Sequence, residues 1–369
     1  MAVVFHEQWT CRSWPQLNSW PSKLNSLGWA IALAGIDWRT AEMNDDVPQS
    51  PRRRSGAPPQ VWLDLQGGLG KPTKELLLQH YTKCRGIRQR FSAALAQPMA
   101  EALDAARQQP VAYVDETGAP TGNADGCNPD RKRGWQWVMV TAVVTVFVQG
   151  LSRSTAAAIE LLGNAFGGIV VSDRFSAYNH LPTHQRQLCW AHVIRDLAAI
   201  AERPGAGAEF GAELLDLQQQ LFALWRQWKD TAIDWSTLQL ADRPIHQAFV
   251  APLQGVVELG CQRGERTPWA KTVCTCHKLL QVDDGLWTFL EIEGIEPTNN
   301  AAERALRQSV IQRKISHGVQ SARGAICRSR LLTVTTTLRK QGRDVWEFLE
   351  QAWIAHHRGG VMPSLLPDP

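Results

Sequence analysis

The amino-acid sequence predicts an α/β fold, and three patterns along the chain predict it. A β-rich block lies between Val111 and Val148, a short apolar run at residues 167–171 reads as a strand buried on both faces, and helical periodicity dominates on either side. With 369 residues, 44% of them hydrophobic and 20% charged, the chain can bury one large core or two to three domains.

Residues 1–70 form an irregular leader in which Trp9, Trp14, Trp20, Trp29, Trp38 and Trp62 are interspersed with prolines and no clean period emerges. The run Pro51-Arg52-Arg53-Arg54-Ser55-Gly56 reads as a linker in preference to a basic arm. Residues 71–109 are a helical lead-in, with Leu76, Leu77, His80, Tyr81, Ile87, Phe91, Leu95, Met99 and Leu103 recurring at spacings of three and four. Residues 110–200 then carry three strands within 111–148, a helix at Ser154 to Leu162, and the doubly buried strand. Residues 201–296 are mainly helical; Leu214, Leu217, Leu221, Leu224 and Trp228 make a heptad-like seam too short for a coiled coil, so it is expected to dock on its own domain. Residues 297–357 are helical again, one helix opening at Thr298-Asn299-Asn300, and residues 358–369 form a tail.

The formal charge of +4 is only mildly basic, but its distribution is uneven. Between Arg304 and Arg343 lie Arg307, Arg313, Lys314, Arg323, Arg328, Arg330, Arg339 and Lys340 without one Asp or Glu, the footprint of a protein that meets a polyanion. Eight cysteines are scattered without a framework spacing, which suits a reducing cytoplasm. The apolar stretch from Leu27 to Ile36 is far shorter than the roughly 20 residues a membrane span requires, so no membrane association is expected.

Asp115 is expected to end the first strand and Asp173 the buried one, which would bring both carboxylates to strand C-termini on adjacent parallel strands. Glu303 lies one turn inside the helix that opens at Thr298, with Asn299 and Asn300 near it and Arg307 a turn beyond. Three converging carboxylates repel one another unless cations neutralise them, and hard oxygen ligands select Mg²⁺ or Mn²⁺, two ions in a phosphodiester-processing site. Arg304, Arg307, Arg313 and Lys314 would grip phosphate, with Asn299 and Asn300 as nearby orienting groups. The residues alone leave the plainer alternative open: two ordinary strand-end aspartates, and a surface ion pair between Glu303 and Arg307.

Four segments, Tyr113-Val114-Asp115-Glu116-Thr117-Gly118, Val171-Ser172-Asp173-Arg174-Phe175-Ser176-Ala177-Tyr178, Gln187-Leu188-Cys189-Trp190-Ala191-His192 and Pro297 to Arg307, resemble in order the signature blocks of insertion-sequence family 66 transposases. The resemblance runs from about Gly86 to His357. It implies a ribonuclease-H-like mixed sheet with flanking helices, and a DDE triad on Asp115, Asp173 and Glu303. Residues 201–296 become a helical insertion, for which the separation of 303 − 173 = 130 residues leaves room. It also implies metal-dependent cleavage of double-stranded DNA at the ends of a mobile element, strand transfer into target DNA, accessory proteins of the element, and a homo-oligomer on the DNA ends. Two alternatives stand beside it: a nuclease of the same fold without strand transfer, and a DNA-binding remnant without catalysis.

Cys189 and His192 resemble a C/D-x-x-H element of transposases; one such pair cannot complete a tetrahedral zinc site, so support of the active site or core packing is expected. The amino end departs from the family, since before Asp115 only Cys11 and Cys84 occur and no Cys-x-x-Cys; the leader is read as degenerate or misread. Gly67 to Thr73 lacks the first glycine and the Ser/Thr of a phosphate loop, Cys274-Thr275-Cys276-His277 reads as a helix with stray thiols, Trp135 and Trp137 as core, and His356 and His357 as a last helical turn.

Overall fold

The fold is described by a computed structural model for residues 86–205, 207–316 and 318–367. The leader at 1–70, the lead-in before residue 86, and the readings placed on Leu27 to Ile36, Arg52 to Arg54, Gly67 to Thr73, Cys11 and Cys84 lie outside the described residues.

Five strands make one mixed sheet: β1 (Val111–Gly118), β2 (Trp135–Val140), β3 (Thr145–Gly150), β4 (Ile169–Ser172) and β5 (Arg186–Leu188), in the order β3-β2-β1-β4-β5. β1, β2 and β3 form an antiparallel meander, and β4 and β5 add on the other side of β1 in parallel. The continuous β-forming run after Trp135 is divided because Thr141 closes a tight turn, its hydroxyl accepting from the Val144 N–H at 3.1 Å. After helical residues 86–94, the helices are α1 (Ala96–Arg107), α2 (Thr155–Leu162), α3 (Trp190–Ala201), α4 (Gly207–Lys229), α5 (Trp235–Leu259), α6 (Pro268–Leu280), α7 (Asp284–Glu291), α8 (Asn300–Ser316), α9 (Ala322–Gln341) and α10 (Val345–Arg358). Their starts follow the capping chemistry of the sequence: Ser154, Asp234, Thr267, Ser321 and Asp344 each accept a backbone N–H of the first turn.

Alternation along β1 divides the core. Ala112 and Val114 face a cluster built from α1, α2, α9 and α10, including Ala102, Leu161, Val334, Leu338 and Phe348. The opposite face carries Tyr113 and, from the neighbouring strands, Val138, Val140 and Phe147, and packs under Ala302 and Leu306 of α8 and Leu332 of α9. A third cluster joins β4 and β5 to α3 to α7 around Trp190, Phe249, Trp287 and Phe289. The seam of α4 docks here within its own chain, with Leu214 and Leu221 fully buried. Trp137 is core, as expected, while Trp135 is half-buried beneath the guanidinium groups of Arg133 and Arg153.

Side chains engage part of each rim of the sheet. At β3, the hydroxyls of Thr333 and Thr337, one turn apart on α9, accept the Phe147 and Thr145 N–H groups at 2.9 and 3.0 Å. At β5, the Thr288 hydroxyl of α7 donates to Arg186 O at 2.6 Å, and the Gln187 amide spans Leu286 O and Phe289 N. The threonine bonds satisfy rim groups that would otherwise stay unpaired, and the Gln187 amide does the same for two backbone groups of α7.

One expectation is corrected. β1 does not end at Asp115 but continues to Gly118, because its antiparallel partner β2 pairs with it through Gly118 whereas parallel β4 pairs only through Tyr113.

Candidate active site

Strand register sets the first part of the site. β1 and β4 pair with an offset of 58 residues, Val111 with Ile169 through Tyr113 with Val171, and Asp115 and Asp173 are also 173 − 115 = 58 apart. β4 and β5 pair with an offset of 16, which equals 189 − 173. Continuing both ladders past their last paired residues sets Asp115, Asp173 and Cys189 level in one row across three neighbouring strands. The row lies on the face of β1 that α8 covers, since Asp115 shares that face with Tyr113.

The start of α8 is stitched to this row. The Tyr113 hydroxyl accepts the Glu296 N–H at 3.2 Å, Pro297 O accepts the Trp190 N–H at 2.9 Å, and Asn299 N–H donates to Cys189 Sγ at 3.2 Å. Asn299, 2% exposed, also donates from Nδ2 to Val114 O at 2.7 Å, next to Asp115. One turn on, Glu303 is exposed and stands beside the row: one of its carboxylate oxygens, Cys189 Sγ and a His192 ring nitrogen lie within 4.8 Å of one another.

The electrostatics match that placement. Burial, together with the charges of Glu116, Asp173 and Glu303, pushes the Asp115 carboxyl up to about 7, against the pull of the Glu116 N–H that it accepts at 2.8 Å. Across β1 from Asp115 stands Val138, and no Lys or Arg forms an ion pair with Asp115, Asp173 or Glu303 among the described residues. The pairing of Glu303 with Arg307 that the sequence left open is therefore not formed. A buried carboxyl pushed up beside two more carboxylates, none of the three in an ion pair, fits hard divalent cations such as Mg²⁺ or Mn²⁺.

The nearest guanidinium groups are held elsewhere. Arg153 bonds Glu116 on the opposite face of β1 at 2.6 Å, Arg174 pairs with Asp196, and Arg186 donates to the main-chain oxygen of Asp173 and to Asn179. Arg153, Arg174 and Arg195 nevertheless line an open hollow with Asp173, Phe175 and His192, a cationic rim that the sequence reading missed. The signal available was Arg174, inside the same segment as Asp173; Arg153 and Arg195 stand outside the four signature-like segments.

The six residues expected to meet DNA divide. Arg304, Arg307, Lys314 and Asn300 are exposed along α8. Asn299 is buried and bonded inward, and Arg313 is spent on Thr117 Oγ1 and Gly118 O at 3.2 and 2.6 Å, so these two hold α8 on β1. Much of the acid-free stretch up to Arg343 is used in the same way: Arg330 bonds Ser92 O, Lys340 bonds Thr141 O, and Arg343 bonds Ser364 O and Leu366 O.

Cys274 and Cys276 sit on α6, one exposed and one buried, as stray thiols should, and His357 stacks on Trp353 in the last turn of α10. No helix among the described residues is long and apolar enough to cross a membrane.

No curated protein and no solved structure matches the chain. The model of the Transposase IS66 family matches residues 78–326, about two thirds of its length and inclusive of Asp115, Asp173, Cys189, His192 and Glu303, and the chain belongs to that family.

Proposed function

We propose that this chain is a DNA transposase whose metal-dependent core cuts double-stranded DNA at the ends of its mobile element and joins them to target DNA, with Asp115, Asp173 and Glu303 as the metal ligands. The observation that carries the reading is the shared offset of 58 residues, which puts the two aspartates level on adjacent strands beneath the helix of Glu303. The mixed sheet, the helices on both faces and the helical segment between Asp173 and Glu303 support a ribonuclease-H-like core with residues 201–296 as its insertion.

Two hard divalent cations, when bound, supply positive charge to the attacking and leaving oxygens of a phosphodiester. The chain's own residues do the rest. Asp115 gives up the proton that burial and its neighbours favour, and with Asp173 offers oxygen ligands from rigid strand positions. Asn299 and the Pro297 carbonyl fix the first turn of α8, so that Glu303 approaches from a set direction. Arg153, Arg174 and Arg195 edge the hollow beside Asp173 where a phosphate would enter, and Arg304, Arg307 and Lys314 extend the cationic surface along α8. In each step the attacking oxygen, of water in cleavage and of a 3′-hydroxyl in joining, forms a new P–O bond as the 3′ oxygen of the cut strand leaves.

The test is an Asp173→Ala protein given end-containing DNA and Mg²⁺. Cleavage and joining are expected to fall by orders of magnitude; parental rates would remove Asp173 from the reaction. Incubating precleaved ends with a target plasmid then tells transposase from nuclease, because only the former yields joined products.

A further inference from the structure

Cys189 and His192 alone provide two metal ligands, too few for a closed site. The structure brings a third from another helix, the carboxylate of Glu303, with the three ligand atoms inside 4.8 Å of one another. Cys189 precedes α3, His192 sits in its first turn, and Glu303 sits in the first turn of α8. The Asn299 N–H donates to Cys189 Sγ at 3.2 Å, and since burial pushes the Cys189 thiol up, a bound cation would displace its proton. The Nδ1 of His192 is buried and has no hydrogen-bond partner.

The geometry points to a site for one borderline-soft divalent cation, Zn²⁺ by the chemistry of its donors, held by Cys189, His192 and Glu303 with a fourth position open. Thiolate, imidazole and carboxylate are the donors zinc takes, whereas the row of Asp115 and Asp173 offers oxygen alone. Bond lengths of about 2.3 Å to sulfur and about 2.0–2.1 Å to nitrogen or oxygen put tetrahedral ligand atoms roughly 3.3–3.8 Å apart, so closure from the present spacing needs side-chain shifts of about 1 Å. Such an ion would lock the first turn of α8 to the first turn of α3. Glu303 belongs to both donor sets, but binding here requires neither DNA nor Asp173.

Co²⁺ titrated into the full chain reads the site directly, since a bound thiolate gives a charge-transfer band and a tetrahedral ion gives intense visible bands. One equivalent of Co²⁺ is expected to show both, and Zn²⁺ to displace it. Cys189→Ser should lose the charge-transfer band, and His192→Ala and Glu303→Gln should weaken binding at least about tenfold; His192→Ala carries the test if the serine variant does not fold. Cys274→Ser and Asp173→Asn should keep the full signal, the latter even when its DNA cleavage is lost, which separates this site from the proposed reaction. The inference is overturned if wild type shows no thiolate band, if Cys189→Ser matches wild type, or if either control variant loses the signal.

Discussion

Asp115 and Glu116 are neighbours on one strand, yet they occupy opposite chemical worlds. Glu116 points into the α2 side of the sheet, is 8% exposed, and is fully engaged: Tyr178 donates its hydroxyl at 2.8 Å and Arg153 bonds it at 2.6 Å while stacking on Phe175. Burial pushes the Glu116 carboxyl up, and those two partners pull it back. Asp115 points to the α8 side, has no side-chain partner beyond the N–H of its own neighbour, and faces two more carboxylates. Burial of an acid is common to both, so it does not mark function; what marks it is burial that the protein leaves uncompensated.

Three changes break or sharpen that contrast. The largest effect is expected from Glu116→Ala, which orphans the Tyr178 hydroxyl and the Arg153 guanidinium. Because Arg153 keeps access to water, the loss should be roughly 2–4 kcal/mol, between the cost of an orphaned donor and that of a broken buried pair, measured by denaturant unfolding. A loss below about 0.5 kcal/mol would make the network ornamental.

Next comes Asp115→Asn, which should do the reverse of damage when divalent cations are chelated. The folded state holds a proton on Asp115 up to about 7, against an ordinary value of 3.8, so its stabilising share is present at low pH and lost as pH rises through about 7. The Tm advantage of the asparagine protein should therefore be near zero at pH 4 and greatest above pH 7. Adding Mg²⁺ at pH 8 should raise the Tm of the parent and not of the variant; a flat difference across pH would show that Asp115 is solvated.

The smallest effect belongs to Tyr178→Phe, which removes one of the two partners and leaves Arg153. A cost of about 1 kcal/mol in unfolding free energy is expected. The near-neutral outcome would assign the network to Arg153 alone.

The sequence made some of this legible and hid the rest for physical reasons. Strands and helices were readable because periodicity and capping residues are local, and the three acids stood out because they fall in blocks with a family resemblance. The end of β1 was misjudged since strand length is set by a partner, β2, that no local pattern announces. The basic stretch after Arg304 looked uniformly like a DNA surface, but Arg313, Arg330 and Arg343 spend their donors on carbonyls from distant segments. Nor could the sequence show that Glu303 comes to Cys189 and His192, because that meeting depends on the Asn299 bonds that seat α8.

The threonine pair on α9 and the Thr288 and Gln187 bonds at the other rim have a bearing on assembly. With those rim groups already engaged, a second copy finds fewer free donors and acceptors on which to extend this sheet. A contact between copies would therefore fall more readily to the helical surfaces than to the sheet.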